Sequence, residues 1–270
     1  MYTISLENIS KKIRSSIIDM SFLGKAPHLG SALSCVDILV ALYWNFLQIL
    51  PQNPHDRLRD RFILSKGHAI AALYAILAHK GFFPLDLLST FNKNGSSLPE
   101  HPSPKCVPGL EAATGSLGHG LSLGIGHALA GKILQESYRV VVLLGDGECN
   151  EGTIWEAALF APSKKLDNLL VFIDYNKWQA TDRSEEVLEI APLQDKWKAF
   201  GWNTFEIDGH DYGAISQVFN HFPSSNGKPT AVIAHTIKGK GISFMEDDNN
   251  WHYRLPTEEE VIIAKKELGL

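Results

Sequence analysis

The residues best placed to do chemistry lie in VVLLGDGECNEGTIWEA, residues 141–157. An aliphatic run stops there at Gly145-Asp146-Gly147, and two more acids, Glu148 and Glu151, follow at once. A second run, NLLVFID (168–174), ends in Asp174-Tyr175-Asn176. Asp146 and Asn176 stand 30 residues apart, which suits one helical crossover between neighbouring parallel strands. A carboxylate and a carboxamide oxygen then reach the same point. Hard oxygen donors in that number suit Mg²⁺ or Ca²⁺, and Mg²⁺ commonly takes one or two protein side chains plus phosphate oxygens. Gly145 and Gly147 would let the backbone approach a diphosphate closely. The competing reading is plain: Asp-Gly is a common turn dipeptide, and the acids would then be solvated.

The histidines are the second chemical resource, because imidazole exchanges protons near neutral pH. Without an HExxH or close Cys/His pairing, zinc is a weak reading. His55, His79, His127 and His221 read as surface or packing residues, and His210 in DGHD as structural or interfacial. Lys238 and Lys240 in IKGKG are either a basic loop that closes over a diphosphate or solvated charge. The Tyr43-Trp44 pair reads as core or subunit interface.

These residues need a frame. Ile9, Ile13, Ile17 and Met20 recur at helical spacing, predicting a first helix to about Phe22. Ser34 is expected to N-cap a second helix through VDILVALYWNFL. RFILS (61–65) reads as a strand, followed by a helix that closes on Gly81. Residues 92–120 lack periodicity and read as a long loop. Four further strands are expected at 139–144, 168–174, 203–208 and 230–236, each covered on both faces. Helices at 151–161, 192–200 and 211–222 separate them, with Pro162 stopping the first. A capping box of Thr257 and Glu260 starts a C-terminal helix. The alternation implies one domain, a doubly wound parallel sheet with helices on both faces, whose ligands bind beyond the carboxyl ends of the strands. Asp146, Asn176, His210 and His235 all fall at those ends.

Bulk properties narrow the class. A net charge of −5 argues against nucleic acid or an anionic membrane as the main partner. The densest apolar stretch, Ile38 to Leu50, is too short to span a bilayer, and the N-terminus lacks a signal peptide's apolar region. Three cysteines without CxxC spacing fit reduced thiols, so a cytoplasmic protein is expected.

Taken together, GDGECNEG…WEA and LDNLLVFIDYNK resemble the thiamin diphosphate signature. The form is similar to transketolase, and the resemblance covers nearly the whole chain: PHLGSALSCVDILVALY, DRFILSKGHAIAALYA, EHPSPKCVPGLEAATGSLGHG, DGHD and HTIKGKGISFMED…WH occur in family order. It implies the thiamin diphosphate-binding fold, with thiamin diphosphate and Mg²⁺ as cofactors and Ca²⁺ or Mn²⁺ as substitutes. By this resemblance Asp146, Asn176 and the Trp178 carbonyl are metal ligands, and Gly145 and Gly147 lie at the diphosphate. His28 would sit near the reacting oxygens. His68 and His252 would face diphosphate and substrate, and His101 the donor's hydroxyls. Gly115, Ser116 and Leu117 would meet the aminopyrimidine, and Glu151 would link paired sites. Glu148 has no role in this reading.

Pro27 and Leu29 flank His28 where the family has Gly and Pro. His119 replaces a Gln and Tyr253 a Gly, which suggests an altered pocket. Transketolases carry two further domains, and the pyrimidine-binding one supplies the glutamate that activates the cofactor. The resemblance therefore implies an N-terminal subunit, inactive alone, in an α₂β₂ assembly with a C-terminal transketolase subunit, acting on sugars or sugar phosphates. The alternatives are a specialised ketol transferase of sugar or secondary metabolism, a 2-oxoacid dehydrogenase α-subunit, a 1-deoxyxylulose-5-phosphate synthase-like enzyme and a non-catalytic cofactor-binding subunit.

Overall fold

Five segments become five parallel strands, β1 (Arg61–Leu64), β2 (Val140–Gly145), β3 (Leu169–Tyr175), β4 (Asn203–Asp208) and β5 (Thr230–His235). They lie in the order β1-β2-β3-β5-β4, which places all carboxyl ends on one edge. The structure, a computed structural model, describes residues 5–103 and 106–270; Pro104 and Lys105 of the EHPSPKC segment lie outside the described residues.

Alternate residues of the central strands enter different cores. Val141 and Leu143 of β2 and Leu170 and Phe172 of β3 pack with α1 (Leu6–Gly24), α2 (Leu29–Ser34), α3 (Val36–Ala41) and α4 (Ile70–Lys80). Val140, Val142, Leu169 and Val171 face the other way, against α5 (His119–Leu134) and α6 (Gly152–Ser163). Two-sided burial is why these strands read as unbroken apolar runs. Beyond β3 come the short α7 (Ser184–Leu188), then α8 (Leu193–Ala199) on the second face and α9 (Tyr212–Asn220) on the first. The Thr257–Glu260 capping box opens α10 (Glu258–Glu267) as expected. No helix among the described residues is long and apolar enough to cross a membrane.

Four expectations need correction. Ser34 does not cap a helix: it ends α2, and its hydroxyl donates to Asp174 at 2.6 Å. The expected second helix through VDILVALYWNFL is shorter, α3 followed by a π-turn over Leu42–Phe46, and the unexpected α2 precedes it across a break at Cys35. β4 is not covered on both faces; it is an edge strand with no fully buried residue, and its Glu206 pairs with His235 at 2.7 Å. Pro162 does not stop α6 but sits in its last turn.

The largest addition is α5, a 16-residue helix that the sequence pattern does not announce. Four glycines weaken its helical signal. Two of them are needed by the packing: a Cβ at Gly120 would overlap Ser65, and one at Gly124 would overlap Val142. The helix lies against the sheet because those side chains are missing.

Behind the sheet edge Asp37 of α3 gathers three partners. Arg14 donates to both its oxygens at 3.0 and 2.7 Å, His210 Nδ1 lies at 2.8 Å, and the Tyr212 hydroxyl donates at 3.1 Å. Burial works to raise the Asp37 pKa, but the hydrogen bonds from His210 and Arg14 and the Arg14 charge outweigh it and hold the carboxyl well below the usual range. His210 is thus structural, as its sequence context suggests. A carboxyl depressed on folding contributes stability that is present above the ordinary carboxylate pKa of about 4 and is lost as pH falls through the folded value. Asp37→Asn leaves the Arg14 guanidinium buried without its counter-charge and is expected to cost about 3–5 kcal/mol. Urea unfolding at neutral pH checks this; a loss below about 1 kcal/mol would contradict it.

Candidate active site

A cleft of about 290 Å³ opens at the carboxyl edge of the sheet. It collects every predicted site residue except His101 and Ser116. Its floor is made by the ends of β2 and β3, where Gly145 pairs in register with Asp174. Asp146 is buried, with Oδ2 accepting from the Lys177 amide at 2.8 Å and the Ser184 hydroxyl at 2.9 Å. Burial, reinforced by the nearby Asp174 charge, pushes its carboxyl up to about 6. Asn176 Oδ1 accepts from the Trp178 amide at 3.1 Å, which folds the 176–178 segment back over the cleft. Trp178 is then strapped down: its indole donates to Asp247 at 2.7 Å, and Arg183 covers its ring at 3.8 Å while pairing with the same carboxylate.

Asp174, fully buried, is the hub of this edge. It accepts from Lys66 Nζ, Ser34 Oγ and Thr236 Oγ1, and so joins the segments after β1 and β5 to α2. Lys66 also donates to the Ser31 carbonyl at 2.9 Å and lines the cleft. Burial works against its charge, but the Asp174 carboxylate outweighs it and the Lys66 pKa rises. Lys66 is a site residue that the sequence motifs do not single out. Its one signal is position, just beyond a strand end in SKGH and two residues before His68.

Glu148 acquires a role. It is buried, and its carboxylate accepts from Ser65 Oγ, the Gly118 amide at 2.9 Å and the Gly145 amide at 3.1 Å. Burial raises its pKa, partly offset by those bonds. One side chain therefore joins β1, β2 and the 115–118 turn. Gly118 completes that turn with φ 86°, where Glu151 and Thr153 leave no room for a Cβ. Gly115 and Leu117 face the cleft; Ser116 and the exposed His119 line a neighbouring hollow.

On the other wall the rings of His28, His68 and His252 meet. Their centroids lie 5.1 Å (His28–His252), 5.3 Å (His28–His68) and 5.6 Å (His68–His252) apart. Burial, then neighbouring positive and histidine charges, lowers His28 to about 4 and His252 to about 3, and pulls His68 well below its usual value. These three imidazoles are neutral at physiological pH. His101 is exposed at the rim, 6.0 Å from His28 and against Gly115. Tyr253 stacks edge-on against His252 at 4.7 Å and is 63% exposed. His28 has φ 71°, a left-handed conformation that a non-glycine residue adopts at a cost, and its amide is held by the His252 carbonyl at 2.8 Å.

Lys238 is not a solvated charge: it is buried, with its ammonium 3.0 Å from His252 Nδ1. Lys240 is half-buried against Glu246. Asn150 Oδ1 and Gln179 Nε2 line the cleft buried and without hydrogen-bond partners, which leaves both available to a ligand. No group of three or more His, Cys, Asp or Glu side chains that could hold a metal ion occurs among the described residues.

The sheet edge, with its carboxylate, carboxamide and buried ammonium around one cleft, defines a doubly wound α/β protein whose donor set suits an anionic ligand bound with a hard cation. Residues 6–270 match the family model described as transketolase, thiamine diphosphate binding domain, and the chain belongs to the transketolase family. It is 42% identical to one of the subunits of apulose-4-phosphate transketolase from Phocaeicola vulgatus, covering 100% of this chain and 95% of that one. It is also 42% identical to 6-deoxy-6-sulfo-D-fructose transketolase subunit SqwG of a Clostridium species, over 95% of this chain and 93% of the relative. Human transketolase is 38% identical over 92% of this chain, which spans 39% of that protein. Among solved structures, transketolase from Leishmania mexicana superposes with a TM-score of 0.94 at 28% identity, over 99% of this chain and 42% of that one.

Glu148→Ala removes the acceptor for two buried amides and is expected to cost about 1–3 kcal/mol. Hydrogen exchange should accelerate at Gly118 and Gly145 while the centre of β3 keeps its protection. Unchanged exchange at Gly118 would contradict the role given to Glu148.

Proposed function

We propose that this chain is the N-terminal subunit of a split transketolase, which moves a two-carbon ketol unit from a ketose donor to an aldose acceptor. The carrying observation is the cleft itself: one hollow is lined by oxygen donors of the kind a hard cation takes, by three neutral histidines and by two buried amide groups without partners. The relatives matched nearly end to end are named as transketolase subunits, whereas single-chain transketolases are matched over only about two fifths of their length. The remaining domains, including the pyrimidine-binding one, then belong to a partner chain, in an α₂β₂ complex. Three free thiols suit a reducing cytoplasm.

The residues present fit thiamin diphosphate with Mg²⁺. Asp146 is a buried carboxyl whose raised pKa a bound cation would reverse, and Asn176 and the Trp178 carbonyl would complete the protein ligands. Gly145 and Gly147 leave room for the diphosphate. Lys66 supplies a fixed positive charge beside it, and Gln179 and Asn150 supply the unpaired amide groups. When bound, the cofactor provides the nucleophilic carbon and the electron sink of the reaction.

The protein's own share is orientation and proton handling. His28, His68 and His252 are neutral, so each ring carries one N–H and one bare nitrogen, and on His252 the Nδ1 is already engaged by Lys238. His101 stands at the rim, where the donor's hydroxyls enter. Glu151, exposed at the start of α6, is placed to meet the partner and link paired sites. The two end-to-end relatives carry names for different sugars, so the substrate class here is ketose donor and aldose acceptor, of phosphorylated or free sugars.

Co-purified with its partner, the chain should exchange ketol units in a mass-spectrometric donor–acceptor screen, and the isolated chain should not. In the complex, His101→Ala should lower kcat/KM by about 10²-fold while cofactor affinity is unchanged. Full activity of that variant would favour a non-catalytic cofactor-binding subunit. Oxidative decarboxylation of pyruvate in place of ketol transfer would favour a 2-oxoacid dehydrogenase.

A further inference from the structure

Two of the cleft histidines meet charged partners of opposite sign on the same ring atom. His252 Nδ1 lies 3.0 Å from Lys238 Nζ. That ammonium has two other contacts, the Asn249 side-chain oxygen at 2.6 Å and the Gln179 carbonyl at 3.2 Å. An ammonium has three donors and no acceptor. With two donors spent on oxygens, the third meets His252 Nδ1, which must present a lone pair.

His28 is the mirror case. Its Nδ1 is buried and makes no hydrogen bond, and the nearest charged group is the Glu100 carboxylate, with Oε1 at 3.4 Å. A carboxylate only accepts. A bare Nδ1 facing it would set two lone pairs against each other, whereas an N–H there is attracted to the carboxylate. The other groups facing His28 are the His68, His101, His252 and Tyr253 rings and, further off, the Lys238 ammonium, none of them an anion.

We propose that Glu100 and Lys238 are positioning residues that hold His28 and His252 in opposite tautomers: His28 protonated on Nδ1 and bare on Nε2, His252 bare on Nδ1 and protonated on Nε2. The two rings stand edge to face, 5.1 Å apart, and both line the cleft. One wall then offers an acceptor and a donor side by side. A sugar hydroxyl there can donate to His28 and accept from His252, and a ketone oxygen can only accept from His252. Both imidazoles stay uncharged, so the charged group behind each ring serves to select a tautomer. The lowered but still basic Lys238, at about 8, remains predominantly an ammonium at neutral pH. The use of the pair in sugar binding rests on the ketol-transfer reading; the tautomers themselves do not.

Long-range ¹H–¹⁵N correlation spectra of the full chain, labelled at histidine and assigned with His28→Gln and His252→Gln, read the tautomers directly. The expected wild-type result is a pyridine-like Nε2 for His28 and a pyridine-like Nδ1 for His252. Glu100 is partly exposed, so Glu100→Ala should fold normally. It should move His28 to the Nε2-protonated form and leave His252 unchanged. Glu100→Gln, which keeps an acceptor, should restore the wild-type pattern. A pyrrole-like Nε2 for His28 in the wild type, or no change in Glu100→Ala, would overturn the proposal. The expected tautomers in a chain whose partner complex transfers no ketol unit would uphold it and instead reject the functional reading.

Discussion

The site depends on one buried carboxylate. Asp174 lies near the end of β3 with both oxygens engaged: Lys66 and Ser34 on one, Thr236 on the other. Three separate chain segments meet the sheet edge through this single group. An ionised carboxyl in such a place is costly unless paired, and Lys66 supplies the pairing charge. The pair need not add to stability; its consequence is geometric. Lys66 cannot leave Asp174 without exposing a buried charge of either sign to an apolar surround. Its ammonium is therefore fixed at the floor of the cleft, and α2, whose N-cap position is His28, is fixed with it.

A second layer of carboxylates works on the same principle. Glu148 accepts from the Gly118 amide and the Gly145 amide, so the 115–118 turn is tied to β2 where it borders the cleft. Asp146 differs from both. Burial, reinforced by the neighbouring Asp174 charge, raises its pKa, whereas the charge and hydrogen bond of Lys66 overcome burial at Asp174 and lower it. Of the three buried acids on this edge, only Asp174 is bonded to a lysine; Glu148 is met by a hydroxyl and two backbone amides, and Asp146 is the one whose carboxyl a bound cation would hold ionised under the proposed function. On the histidine wall burial, aided by the Lys66 and Lys238 charges, lowers His68 and His252, so both imidazoles are kept neutral.

The sheet and the end of the cleft built from β2 and β3 are legible in the sequence for a physical reason. Strands buried on both faces must be continuous aliphatic runs, and parallel order forces their polar ends together, so Asp146 and Asn176 can be paired from spacing alone. What stays hidden depends on contacts between distant segments. Glu148 looks like a solvated acid because its three partners come from residues 65, 118 and 145. Lys66 looks like an ordinary surface lysine because its counter-charge lies 108 residues away. Helix α5 escapes notice because close packing on the sheet demands glycines that weaken a helical pattern. Ser34 misleads for the opposite reason: its type suits an N-cap, but its hydroxyl serves Asp174. His101 and Ser116, which the family resemblance assigns to the site, lie at its rim and in the adjoining hollow.

That this edge holds a diphosphate through a cation bound at Asp146 is tested most directly by titration calorimetry of thiamin diphosphate into the complex of this chain with its partner. Binding is predicted to require Mg²⁺ and to be weakened by about 10²-fold, or about 2.7 kcal/mol, in Asp146→Ala. Equal affinity after chelation of divalent cations, or in the variant, would contradict it.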